Sequence, residues 1–231
     1  MKYKVKRVHF VGIGGSGMSG IAELRAIKVD STNVTIGALT THNAVATSKD
    51  VQRVIPALAK LADGIGDRQI RNAGTIGGAL ANNDPAACYP AAALALGASL
   101  QTNKRTLAAA DFFTGLYETA LAPGELVTSV SFPIPQAAAY QKFQQPASRF
   151  ALVGVFVART AQGVRCAVTG AGSGVFRSSV IEQALGARFD ASALENVSIA
   201  AADLNSDIHA SAAYRAHLIK VLAQRAVAAI A

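Results

Sequence analysis

Hydrophobic and polar positions along the chain indicate a mixture of short strands and helices. The stretch 34–38 has the residue pattern of a strand, whereas 49–62 carries apolar residues at helical spacing. Residues 128–132 alternate as a strand does, and Pro133 and Pro135 then halt regular structure. The pattern predicts an α+β protein with a boundary near residue 135.

A second pattern follows that boundary. The runs 150–158 and 164–170 are apolar, and the turn between them contains Gly163, which predicts a β-hairpin. Apolar residues recur at helical spacing in 178–185 and again in 214–230. This part of the chain is expected to form an antiparallel sheet with helices, ending in a helix.

The first residues have a pattern of their own. Residues 5–11 predict a strand, Gly12 to Gly17 a turn, and Met18 to Ile27 a helix. A glycine loop between a strand and a helix places backbone N–H groups at a helix N-terminus, where they can bind an anion.

Composition narrows the class of protein. Of the 231 residues, 51% are hydrophobic and 16% charged, enough apolar surface to offset the entropy lost on folding. No run of about 18 uncharged apolar residues occurs, so no membrane span is expected. The basic, then glycine-rich start does not fit a signal peptide, and a cytoplasmic protein is expected.

The charge and the cysteines constrain the partners. A formal net charge of +8 favours anionic ligands, but the basic residues are scattered and only 6% of residues are aromatic, which favours a nucleotide cofactor over nucleic acid. The two cysteines, Cys88 and Cys166, cannot supply the four thiolates of an iron–sulfur cluster. Any metal redox centre is therefore expected in a partner, and no metal site or catalytic residue is predicted here. Metal-hydrolase and serine-hydrolase motifs are absent from the sequence.

One glycine-rich string carries the clearest chemistry. Residues 64–87 read GIGDRQIRNAGTIGGALANNDPAA, in which a glycine pair lets the backbone approach a ligand closely. By itself, Thr-Ile-Gly-Gly is more often an ordinary loop than a ligand-binding turn. The whole string, RNAGTIGGALA followed by NDPAA, resembles the signature of the FAD-binding medium subunits of the molybdenum hydroxylases, the carbon monoxide dehydrogenase and xanthine dehydrogenase group.

The resemblance covers roughly residues 24–231. Further similar segments follow in the family's order, at 34–42, 122–128, 140–143 and 207–215. It implies a fold of the PCMH/CO dehydrogenase flavoprotein type with an incomplete or replaced first subdomain, plus a C-terminal antiparallel-sheet-and-helix domain. Arg149 stands before Phe150, where the family usually has an acidic residue.

The resemblance also implies which residues bind the cofactor. The implied FAD contacts are Thr75, Ile76, Gly77 and Gly78 for the diphosphate and flavin, Asn83 and Asp84 for the ribityl and adenosine portion, Leu126 and Val127 for the ring face, and Lys142 for a polar edge. The alternatives are ordinary core for Leu126 and Val127 and a solvated strand-end lysine for Lys142.

The N-terminus departs from this family. Medium subunits normally begin with a longer βαβ subdomain carrying an Ala-Gly-Gly-x-Ser loop, whereas residues 4–23 resemble the start of the UDP-N-acetylmuramate–L-alanine ligases. The chain therefore resembles a splice of two families, without the ligase's P-loop. The residues that could replace the lost loop are Gly14, Gly15 and Ser16, with a plain tight turn as the alternative.

Three segments are expected: a ligase-like strand, glycine loop and helix at 1–28, an FAD-binding subdomain at 29–135, and a C-terminal domain at 136–231. The resemblance implies an FAD electron-transfer subunit that works with an iron–sulfur small subunit and a molybdopterin large subunit. Its acceptor would be NAD, a quinone or oxygen. The alternative is a recombined or truncated scaffold that folds without FAD.

Overall fold

The computed structural model describes residues 22–230. A five-stranded antiparallel sheet, ordered β1-β2-β7-β3-β4, organises the part before residue 135. Its strands are β1 (Ile27–Val29), β2 (Asn33–Gly37), β3 (Ser99–Thr102), β4 (Thr106–Ala108) and β7 (Val127–Pro133), and a separate two-stranded hairpin consists of β5 (Phe113–Gly115) and β6 (Glu118–Thr119).

Short helices fill the connections of this sheet. They are α1 (His42–Thr47), α2 (Lys49–Val54), α3 (Pro56–Asp63), α4 (Arg68–Ala73), α5 (Ile76–Asn82), α6 (Tyr89–Leu96) and α7 (Ala109–Phe112). Several begin at a residue whose side-chain oxygen accepts a backbone N–H of the first turn, as Asp67 does for α4. In residues 22–230, no helix has the length and apolar character needed to cross a membrane.

Two sequence-based helix predictions are corrected. The helix expected up to Ile27 is already over, because Ile27 begins β1 and pairs with Ile36. The single helix expected over 49–62 is divided at Ile55, since Pro56 has no N–H to donate and disfavours helical backbone before it. The expected strands at 34–38 and 128–132 are present as β2 and β7.

A second antiparallel sheet, ordered β11-β10-β9-β8, follows residue 135. Its elements are β8 (Ala137–Gln144), β9 (Ala151–Thr160), β10 (Gly163–Thr169) and β11 (Phe176–Arg177), followed by α8 (Ser179–Ala187), a 3-10 turn (Ala191–Leu194) and α9 (Ala212–Ala228). The predicted hairpin is confirmed as β9 and β10, which turn at Gly163 with a φ of 110°. The predicted terminal helix is confirmed as α9.

Helix α6 lies between the two sheets and has no polar face. All eight of its residues, YPAAALAL, are buried. One face of β9, with Phe156 and Ala158, joins the core around α6, while Val155 and Val157 on the other face pack into a second core with α8 and α9. Because both faces of β9 are covered, its sequence is continuously apolar rather than alternating.

A buried carboxylate closes the loop that leads into β7. The Glu125 side chain is 1% exposed and accepts hydrogen bonds from Arg105 Nε at 3.0 Å, Thr102 Oγ1 at 2.7 Å and the Ala122 N–H at 2.9 Å. These bonds, chiefly the one from Arg105, lower the pKa of Glu125 from 4.5 to about 2. The loop is thereby tied to the turn between β3 and β4.

Glu125 should make stability depend on acid pH. Since its folded-state pKa is depressed, its contribution is complete above about pH 4.5 and is lost as the pH falls towards about 2. We expect Glu125→Gln to flatten the melting temperature between pH 4.5 and 2.5 relative to wild type, measured by circular dichroism. Glu195→Gln, at an exposed glutamate, is the control, and a wild-type slope retained in Glu125→Gln would refute the assignment.

Candidate functional site

The Thr-Ile-Gly-Gly segment forms the start of a helix rather than a plain loop. Thr75 is the N-cap of α5, and its Oγ1 accepts the Gly78 N–H at 3.2 Å. Thr75 also pairs with Thr41 in an isolated antiparallel bridge. The cap explains why a helix forms in a glycine-rich sequence.

Close backbone contact explains one glycine of the pair. The Gly77 N–H donates to the Ala38 carbonyl at 2.9 Å, and a Cβ at position 77 would lie 2.5 Å from the Ala38 Cβ. Beside it, the Ile76 N–H donates to the Thr40 carbonyl at 3.0 Å, and the Ile76 side chain is fully buried. The side chain of Ile76, expected among the cofactor-binding residues, therefore packs in the core instead.

Gly78 is different, because nothing in the described fold requires a glycine there. It is exposed, and apart from its chain neighbours and its own helix backbone, residues 22–230 place one atom within 4 Å of a Cβ built on it, Thr75 Oγ1 at 3.1 Å. A glycine inside a helix costs about 0.5–1 kcal/mol relative to alanine. The open space above Gly78 is therefore a surface at which a ligand could approach the backbone.

Asn83 and Asp84 follow α5 and are largely committed to local structure. Asn83 has a left-handed backbone, is 2% exposed, and donates from Nδ2 to the carbonyls of Gly115 and Glu118 at 2.9 and 2.7 Å. Asp84 accepts from the Ala86 N–H at 2.8 Å through Oδ1. The Asn83 amide nitrogen thus holds the β5–β6 hairpin, whereas its Oδ1 has no hydrogen-bond partner within residues 22–230. The role of Asn83 in binding FAD stays a prediction.

Leu126 and Val127 behave differently from each other. Leu126 is 60% exposed, with its N–H bound to Asn103 Oδ1 at 2.9 Å, whereas Val127 begins β7 and packs partly against the core. Ordinary core therefore describes Val127 but not Leu126. Leu126 presents apolar surface to the outside.

The Lys142 ammonium is held by the protein and is not solvated at a strand end. Its Nζ donates to the Gly64 carbonyl at 2.5 Å and to the Arg149 carbonyl at 3.0 Å, and lies 3.7 Å from Cys88 Sγ. These contacts join β8 to the glycine-rich region and to the turn before β9. Arg149 itself adopts a left-handed backbone, with φ of 60°.

A cavity of about 190 Å³ brings several of these residues together, and we call it the inner cavity. Its walls come from α1, α5, the start of α6, β8 and the turn before β9, and include His42, Ala79, Asn82, Asp84, Cys88, Tyr89, Lys142, Arg149 and Phe150. Of the sequence-predicted residues, Asp84 and Lys142 line it directly. Leu126 and Val127 lie outside its lining, and Gly14, Gly15 and Ser16 lie outside the described residues.

Sequence reasoning missed His42, Cys88 and Tyr89 as members of this site. His42 ends the family-like segment 34–42, but no ligand role is assigned to it, and Tyr89 follows directly after the glycine-rich string 64–87 and Cys88. Burial lowers the pKa of His42 to about 4, so its imidazole is neutral at physiological pH. The signal available in the sequence was Tyr89, whose hydroxyl stands at the start of the otherwise apolar helix α6.

Comparison with protein families matches both parts of the chain. Residues 17–135 match the model described as FAD binding domain in molybdopterin dehydrogenase. Residues 138–230 match the CO dehydrogenase flavoprotein C-terminal domain. The first match begins upstream of residue 24, where the sequence resemblance was expected to start.

Individual relatives agree with the family models. The carbon monoxide dehydrogenase medium chain of Afipia carboxidovorans is 31% identical over 223 residues, which is 90% of this chain and 77% of that protein. The nicotine 6-hydroxylase medium subunit of Paenarthrobacter nicotinovorans is 34% identical, covering 84% of this chain and 74% of its own length. A cyanide-inactivated Cu,Mo-CO dehydrogenase structure superimposes with a TM-score of 0.81 at 32% identity, covering 89% of this chain and 78% of that one.

The resemblance of the N-terminal residues to a ligase is matched over a short stretch only. The UDP-N-acetylmuramate–L-alanine ligase of Aromatoleum aromaticum is 81% identical over 26 residues, which is 11% of this chain and 6% of the ligase. Over so short a stretch the splice of two families stays a hypothesis.

The two glycines of α5 should respond oppositely to a methyl group. Gly77→Ala forces Ala38 to move and is expected to cost roughly 1–3 kcal/mol, or several degrees of melting temperature. Gly78→Ala should leave the melting temperature unchanged or slightly higher, because the helix gains propensity and meets only Thr75 Oγ1. Equal losses in the two variants, measured by thermal denaturation, would contradict the packing described for Gly77.

Proposed function

The chain belongs to the family of FAD-binding medium subunits of molybdenum hydroxylases, and we propose on that basis that it passes electrons from a partner's iron–sulfur centres to an acceptor. FAD, when bound, supplies the redox chemistry, and the protein contributes binding, orientation and electrostatics. The role therefore needs a cofactor site in this chain but no catalytic acid or base.

The residues at the candidate site fit FAD. The observation that carries the proposal is the open backbone at Gly78, a glycine without a packing reason, on the same helix that lines the inner cavity. Two polar side chains of that cavity, His42 and Tyr89, keep buried atoms without a partner in residues 22–230. At about 190 Å³ the cavity is smaller than the roughly 300 Å³ or more of most ligand pockets, so it suits one part of a large cofactor.

Each proposed binding residue then has a definable task. Gly78 and the Thr75 cap would let the diphosphate approach the backbone of α5, and Asp84 would accept from sugar or ribityl hydroxyls. Lys142 would act through its fixed positive charge at the cavity wall, because two of its three N–H donors already bind main-chain carbonyls and its Nζ lies 3.7 Å from Cys88 Sγ. Leu126 would offer its exposed side chain to an aromatic ring face.

The partners are proposed from the family and from the cysteine count. Two cysteines cannot ligate an iron–sulfur cluster, so electrons would have to arrive from an iron–sulfur small subunit and, before it, a molybdopterin large subunit. NAD, a quinone or oxygen remain the possible acceptors. Gly14, Gly15 and Ser16 are kept as the proposed substitute for the family's N-terminal phosphate loop.

FAD binding is tested by adding bulk at Gly78. Gly78→Val should weaken FAD at least about tenfold, because side-chain atoms would occupy the space used by the ligand. Gly186→Val is the control for valine at an exposed helix glycine. A Cβ at Gly186 meets nothing within 4 Å, whereas one at Gly78 lies 3.1 Å from Thr75 Oγ1, so the melting temperatures of both variants are compared as well. Affinity is read from quenching of flavin fluorescence. A wild-type chain that retains no flavin at micromolar concentration would support the scaffold alternative, and equal affinity in both variants would remove Gly78 from the site.

Electron transfer is tested with a surrogate donor. We expect the FAD-loaded chain to carry electrons from a reduced [2Fe–2S] ferredoxin to at least one of NAD, a soluble benzoquinone or oxygen, followed anaerobically where oxygen is not the acceptor. The rate per flavin should exceed that of equimolar free FAD, since the protein orients the ring and restricts its exposure. Rates no higher than with free FAD for all three acceptors would contradict the proposed role.

A further inference from the structure

We infer that His42 and Tyr89 form a polar inner wall that hydrogen-bonds the flavin ring through His42 Nδ1 and the Tyr89 hydroxyl. The inference rests on the proposed FAD binding and assigns two residues that the sequence motif did not contain. It also states which end of the cofactor enters the inner cavity.

The two residues belong to the wall of one cavity and lie next to each other. Both line the inner cavity, and their ring centroids lie 5.3 Å apart at an interplanar angle of 48°. His42 is 5% exposed and Tyr89 is fully buried. Within residues 22–230, neither His42 Nδ1 nor the Tyr89 hydroxyl has a hydrogen-bond partner.

The backbone around each residue fixes the position of His42 and Tyr89. The His42 N–H donates to the Gly74 carbonyl at 3.0 Å, and a Cβ at position 74 would lie 2.6 Å from His42 Nε2. Because Gly74 has no side chain, the His42 imidazole packs directly against the Gly74 backbone, next to the N-cap residue Thr75. Tyr89 is the first residue of α6, whose position between the sheets fixes the base of its ring.

Burying His42 Nδ1 and the Tyr89 hydroxyl without hydrogen-bond partners lowers the stability of the fold. A buried polar group without a partner destabilises a fold, and native structures contain few of them. Seven buried side-chain atoms lack a partner within residues 22–230, and two of them, His42 Nδ1 and the Tyr89 hydroxyl, belong to residues that line one cavity. A ligand in that cavity would supply partners for this pair. Since burial keeps His42 neutral, its imidazole offers one N–H donor and one nitrogen acceptor, and the tyrosine hydroxyl can do either.

The remaining wall selects the class of ligand. Ile65, Ile70 and Phe150 supply apolar surface, and Lys142 supplies a nearby positive charge. A flat heteroaromatic ring with donors and acceptors on one edge matches this set, with its face on the apolar side chains and its edge on His42 and Tyr89. The isoalloxazine ring and the adenine ring of FAD both have this chemistry, and the inference commits to isoalloxazine. Because Leu126 is not in the lining of the inner cavity, its exposed side chain is then assigned to the adenine ring and not to the flavin.

The decisive variant is Tyr89→Phe, which removes one oxygen and keeps the ring. Its matched control is Tyr140→Phe: the Tyr140 hydroxyl is also buried without a partner in the described part of the chain, but Tyr140 is not in the lining of the inner cavity. Tyr89→Phe should raise the Kd for FAD and for FMN about 5- to 10-fold while leaving the melting temperature of the apoprotein unchanged or higher. Tyr140→Phe should leave both affinities unchanged.

His42 is tested by a pair of substitutions that differ in one polar group. His42→Asn keeps a polar atom near the position of Nδ1, whereas His42→Leu does not. We expect His42→Asn to retain most of the FMN affinity and a near-native midpoint potential of bound FAD. His42→Leu should lose affinity about 5- to 10-fold and shift that potential, because hydrogen bonds to the ring tune its electronics.

The outcomes separate this inference from the proposed function. If wild type binds no FAD, the proposed function fails and the inference with it. Occupation of the inner cavity is measured by how far FAD protects Cys88 from methyl methanethiosulfonate, with buried Cys166 as the reference. If wild type binds FAD and Cys88 is protected, but Tyr89→Phe binds FAD like wild type, the inference alone is wrong. Weaker ADP binding with unchanged FMN binding in Tyr89→Phe would place adenine in the cavity and overturn the assignment to isoalloxazine.

Discussion

The burial of helix α6 on all sides is the constraint on which the rest of the structure depends. A helix of alanine, leucine, proline and tyrosine has no face for water, so it is stable only when protein covers it completely. The two sheets provide that cover, which makes β9 apolar on both faces and joins the two parts of the chain through one core. The start of the same helix carries Cys88 and Tyr89 to the wall of the inner cavity.

A second constraint is the contact between residues 38–42 and 74–77. It consists of main-chain hydrogen bonds, and it is close enough that Gly74 and Gly77 cannot carry a side chain without displacing His42 or Ala38. The glycines at positions 74, 77 and 78 therefore have different structural roles. Gly74 and Gly77 are required by packing, whereas Gly78 weakens its helix without a packing benefit and leaves the backbone open, as expected where a ligand approaches.

The site combines groups that stabilise the fold with groups that lower its stability. Lys142, Glu125 and the amide nitrogen of Asn83 tie separate loops together. His42 and Tyr89 instead keep buried polar atoms without partners in the described residues. These are two of seven such atoms within residues 22–230, and they are the two whose residues line the inner cavity, where the cofactor site is proposed.

The sequence by itself determined the α+β class, the β9–β10 hairpin, the terminal helix and the FAD-binding family, because each depends on residues that are near one another in the chain. The same local reasoning failed where a single residue decides, as at Pro56, and where a glycine-rich string is stabilised as a helix by the Thr75 cap and by contact with Ala38. Only the tertiary structure decided that Lys142 binds the carbonyl of Gly64, and that His42 and Tyr89 share one cavity. Those pairs are far apart in sequence, and no local pattern encodes a contact that forms only when the two sheets close around α6.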